Sequence, residues 1–122
     1  MWIWRKVGDF WMEKWQKKIE TLEFHQQLLL TMVADTPFKL YHLIIKKNLT
    51  KEETERLLQL CDSLSVKLQK QKAEGFVTFY PLLTELKANL QPTISCKELV
   101  ESCLEQGIHK ELMQTLIPLI ED

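Results

Sequence analysis

The sequence predicts an all-α fold: a compact multihelical domain of about six helices, opened by a long amphipathic helix. Three observations carry this. Apolar residues recur at spacings of three, four and seven through most of the chain. Three glycines and four prolines in 122 residues are too few for a many-turned β fold. Two Ser/Thr-x-x-Glu boxes stand just ahead of apolar-periodic runs, where helices begin.

The first helix is expected over about residues 13–34. Trp15, Ile19, Leu22, Leu29 and Val33 repeat at helical spacing, with Gln26 between Leu22 and Leu29. Phe24, Leu28, Leu30 and Met32 widen the stripe beyond a strict coiled-coil seam. One side can then pack on the domain while another meets a second subunit. Asp35-Thr36-Pro37 stops this helix and caps the next, over about residues 37–47, which buries Leu40, Leu43 and Ile44.

Thr50-Lys51-Glu52-Glu53 is a capping box for helix three, whose buried stripe is Leu57, Cys61, Leu64 and Leu68. Lysines 67, 70 and 72 suit its negative end, and Gly75 suits its stop. Phe76 to Pro81 resembles a strand. The reading preferred is a helix start, with Thr78 as N-cap, Pro81 in the first turn and Val77 stapled onto Leu82. Helix four ends before Gln91-Pro92. Ser95-Cys96-Lys97-Glu98 caps helix five, which buries Leu99, Val100, Cys103 and Leu104 and stops at Gly107. Helix six, about residues 108–120, buries Leu112, Met113, Leu116 and Ile117, and Pro118 kinks or ends it.

Residues 1–11 stand apart. They hold three of the four tryptophans but no helical period and no cap. Two origins are open: an aromatic or disordered arm, or a non-native leader with translation starting at Met12. The leader is preferred, because Lys6-Val7-Gly8-Asp9 can be encoded by purine-rich codons resembling a ribosome-binding site just upstream of Met12. Residues 12–122 then form the single helical domain.

Sixteen basic residues face seventeen acidic ones. A duplex-DNA binder normally carries a basic surplus, so nucleic acid is disfavoured. The chain from Lys97 onward is acidic, through Glu98, Glu101, Glu105, Glu111, Glu121 and Asp122. A solvated helix face explains that. No apolar run reaches the roughly 20 residues of a membrane span, and no signal peptide opens the chain. Cys61, Cys96 and Cys103 are odd in number and lack CxxC spacing, which points to reduced thiols and the cytoplasm.

The residues suggest no catalytic, cofactor-binding or metal site. His25, His42 and His109 lie on different helices without triad spacing. The cysteines fall on core stripes as small hydrophobes. The acids near Thr50 and Ser95 are explained by capping. Asp62 is the exception: it sits inside helix three, where aspartate has poor propensity. It reads as an exposed position or as the partner of a lysine on a neighbouring helix or subunit. No phosphate loop, nucleophile elbow or HExxH motif occurs.

The blocks KKNLT-KEE, LCDSLS and QKAEGFVTFYPLL, between Lys46 and Leu83, together with IETLEFHQQLL and LEQGIHKELM, resemble the YhaI-like family. The likeness covers residues from about Lys18 to the C-terminus. The resemblance implies a small multihelical protein of unknown function from low-GC Gram-positive bacteria, and it brings no activity, cofactor or catalytic residue. The expectation is a non-enzymatic interaction protein that self-associates through Trp15, Ile19, Leu22, Leu29 and Val33. The alternative is a transcription-related regulator using Lys46, Lys47, Lys51, Lys67, Lys70 and Lys72; a weaker one is a metal protein or enzyme.

Overall fold

The computed structural model describes residues 2–120, with side chains from Val7 onward. Glu121 and Asp122, the end of the acidic stretch, lie outside the described residues. The order is α1 (Trp2–Val33), α2 (Lys39–Lys46), α3 (Lys51–Ala73), α4 (Tyr80–Asn89), α5 (Cys96–Gln106) and α6 (Lys110–Leu116), then a 3₁₀ turn, Ile117–Leu119. No strand occurs among the described residues. The fold is all-α with six α-helices.

Helices α2 to α6 build one core. Its fully buried members include Leu40, Leu64, Leu68, Leu82, Leu86, Leu99, Val100, Leu112, Met113 and Leu116. The stripe Leu57, Cys61, Leu64 and Leu68 on α3 is buried as its spacing requires. Leu104 and Ile117 pack on the core only partly buried, as does Ile44.

Both capping boxes form reciprocally. Thr50 Oγ1 accepts from the Glu53 amide at 3.1 Å while Glu53 Oε1 accepts from the Thr50 amide at 2.9 Å. Ser95 and Glu98 repeat the exchange, both at 3.1 Å. Three helices close with a left-handed residue. The Phe76 amide donates to the Gln71 carbonyl around Gly75, the Ile108 amide to Cys103 around Gly107, and the Leu49 amide to Ile44 around Asn48. Each is a Schellman stop, and asparagine is among the few residues that tolerate its positive φ.

Four local expectations are corrected. α1 begins at Trp2, not near Glu13. Period reports burial rather than helicity, and residues 7–25 bury nothing. α2 begins at Lys39 without a cap from Asp35 or Thr36. The Thr36 hydroxyl donates back to the Val33 carbonyl at 2.7 Å, closing α1. The α2 amides are met by Gln106 on α5, whose Oε1 accepts from Leu40 at 2.9 Å and Tyr41 at 3.2 Å. The N-cap of α4 is Phe79, not Thr78, and makes no side-chain cap. Val77 is 95% exposed, so no staple onto Leu82 forms. Phe79 packs against the core instead, and that burial sets the start of α4. α6 begins at Lys110 and gives way at Ile117 to the 3₁₀ turn holding Pro118.

Candidate functional site

The helix expected to carry self-association is the one the core leaves out. No described side chain of α1 is fully buried, and its main contacts are with α2. Residues 7–25 are exposed without a break, about 28 Å of helix at 1.5 Å per residue. Trp15 is 57% exposed, Ile19 53%, Leu22 58% and Leu29 58%. Val33 differs: it is half-buried with Gln26, Leu30 and Ala34.

These residues share a geometry. Trp15, Ile19, Leu22, Gln26, Leu30 and Val33 fall within about 80° of one line along the helix. The C-terminal part of that line packs toward α2. The N-terminal part continues outward uncovered. Leu29 and Trp11 flank it, while Phe24, Leu28 and Met32 form a second exposed apolar group on the opposite side. Lys14 and Lys18 lie over the rings of Trp11 and Trp15, at 5.1 and 5.7 Å.

Elsewhere the best-defined polar groups are engaged, although the buried Gln71 Oε1 has no hydrogen-bond partner. A cavity of about 450 Å³ is lined by Glu53, Arg56, Leu57, Leu60, Gln91 and Ile94 among others. Its single carboxylate is held at both oxygens, by the Thr50 amide and by Gln91 Nε2 at 3.0 Å. Those hydrogen bonds, the Thr50 amide first, hold Glu53 below the usual glutamate range. Three of the six lysines considered for a basic patch are paired with acids. Lys47 lies 3.6 Å from Glu98, Lys67 2.6 Å from Glu85 and Lys72 2.6 Å from Glu111.

Asp62 finds its partner on another element, and it is a histidine rather than a lysine. Its Oδ1 lies 2.6 Å from His109 Nε2. His109 itself has φ +47°, unusual for a residue with a Cβ. No sequence signal links the two, because they are far apart in the chain.

The three cysteines are free and buried. The hydrogen bond between Cys103 and Cys61, and then burial, push the Cys103 thiol up. Burial likewise raises Cys96. Among the described residues, no group of three His, Cys, Asp or Glu side chains is arranged to hold a metal ion. Among the same residues, no helix is long and apolar enough to cross a membrane.

Comparison with known families bears on the chain beyond Trp11. Residues 12–121 match the model of a family described as "Protein of unknown function (DUF1878)". The expected kinship with an uncharacterised family thus holds at that level, and the chain belongs to the DUF1878 family of proteins of unknown function.

Proposed function

We propose that this protein is a non-enzymatic helical interaction module that self-associates through α1, with Trp15, Ile19, Leu22 and Leu29 at the seam and Val33 at its inner edge. One observation carries the reading: nineteen consecutive exposed residues on a helix with an apolar stripe. Helical stability in proteins comes mostly from packing an amphipathic face rather than from propensity. Contiguous exposed apolar surface marks interaction sites. The engagement of Glu53 in capping and hydrogen bonding, and the pairing of Asp62 with His109, support a chain whose polar groups serve structure. Buried reduced thiols fit a cytoplasmic setting.

Size-exclusion with light scattering tests this. The full chain is expected to run as an oligomer at micromolar concentration, and Leu22→Glu with Leu29→Glu should dissociate it. Both side chains are more than half exposed, so the buried core survives the change. A monomer before substitution refutes the reading.

A further inference from the structure

Helix α1 offers a partner more than an apolar stripe: it has a knob and a groove, whose use rests on the self-association proposed above. At one end the helix carries exposed Met12, Trp15 and Ile19. At the other, α1 and α2 flank a groove of about 390 Å³ lined by Glu23, Gln26, Gln27 and Leu30 of α1 and by Ile45, Lys46 and Asn48, so it holds one cation beside its one carboxylate. Ile45 is 37% exposed there. The groove lies on the same line of the helix as the exposed residues.

Charge is divided the same way. Residues 12–18 hold Lys14, Lys17 and Lys18 against Glu13. Residues 19–33 hold Glu20 and Glu23 and neither lysine nor arginine. The two halves of one helix are thus complementary to each other in charge and, as knob and groove, in shape.

We infer that two copies of this chain pair their α1 helices antiparallel, about a two-fold axis between Glu20 and Thr21, so that Trp15 of each enters the α1–α2 groove of the other. Ile19 of each copy then meets Leu22 of the second, Trp15 lies level with Gln26, and Lys18 lies level with Glu23. A two-fold pairing makes each contact twice. A parallel pairing would set tryptophan against tryptophan, crowd the lysines and leave both grooves empty. Trp11, Met12, Trp15, Ile19, Leu22 and Leu29 together offer roughly 600 Å² per copy before the groove walls, close to the ~800 Å² per partner of a stable interface.

The test is disulfide trapping in the full chain. Trp15→Cys and Gln26→Cys variants are oxidised alone and as an equal mixture, with the unsubstituted chain as the blank for its three buried cysteines. Antiparallel pairing gives a linked dimer in the mixture and none from either variant alone, since like positions then stand about 16 Å apart along the axis. A dimer linked by Trp15→Cys alone is parallel and overturns the inference while leaving self-association standing. An oligomer by light scattering with no link in the mixture also overturns it. An unsubstituted chain that is monomeric removes both this geometry and the function it rests on.

Discussion

Asp62 Oδ1 and His109 Nε2 lie 2.6 Å apart, joining the middle of α3 to the residue that starts α6. The contact explains an aspartate in a helix interior and fastens a backbone position with φ +47°. Asp62 is 67% exposed and the histidine 23%, so water screens the pair. A double-mutant cycle with Asp62→Asn and His109→Gln is expected to give a coupling of no more than about 1 kcal/mol. The backbone matters separately. His109→Gly should be more stable than His109→Ala by about 1 kcal/mol, because glycine accepts the left-handed conformation without a Cβ clash. Equal urea midpoints for the two variants would remove this account of His109.

Gln106 reaches from the end of α5 to cap α2. Gln106→Ala should cost about 1–2 kcal/mol, the range for losing a cap and leaving amides unpaired. Hydrogen exchange localises the effect: the Leu40 and Tyr41 amides should lose protection first. Uniform loss across all helices would show a global effect instead.

Glu98 and Glu111 are held below the ordinary glutamate value of 4.5. For Glu98 the main cause is the Ser95 amide, and for Glu111 the hydrogen bond from Lys72. A carboxylate whose folded pKa is depressed stabilises the fold fully above its unfolded pKa. That contribution is lost as pH falls through the lower folded value. Wild type should therefore exceed the Glu98→Gln, Glu111→Gln double variant by a constant margin from neutral pH down to about 5, and the margin should shrink as the pH falls below the ordinary glutamate value of 4.5. Thermal melts across that series check it. A margin that grows on acidification would reverse the sign of the argument.

Cys61, Cys96 and Cys103 are buried; Cys96 and Cys103 are pushed up, whereas the hydrogen bond with Cys103 lowers Cys61, so burial alone shields that thiol. Thiolate is the reactive form. A disulfide-exchange reagent should label no thiol of the folded chain within minutes, and all three in urea. Prompt labelling of one thiol in the folded chain would contradict the burial.

Much of the fold was legible because it is local. The Thr50–Glu53 and Ser95–Glu98 boxes, the stops at Gly75 and Gly107, and the α3 stripe all depend on residues within a few positions of one another. Short-range hydrogen bonds and a 3.6-residue period leave their marks directly in the residue order. The start of α4 was not legible in that way. Thr78 is a good cap in isolation, whereas burial of the neighbouring Phe79 decided the frame.

What tertiary structure alone decided lies between distant residues. The sequence by itself determined the six helices, most of their ends and most of the core. It could not pair Asp62 with His109, send Gln106 to cap α2, or turn Phe79 inward while leaving Val77 exposed. Nor could it tell that the widest apolar stripe is uncovered, because periodicity identifies an apolar face without saying what lies opposite. Those outcomes depend on how packed helices bring side chains together across tens of residues, and no local pattern records that.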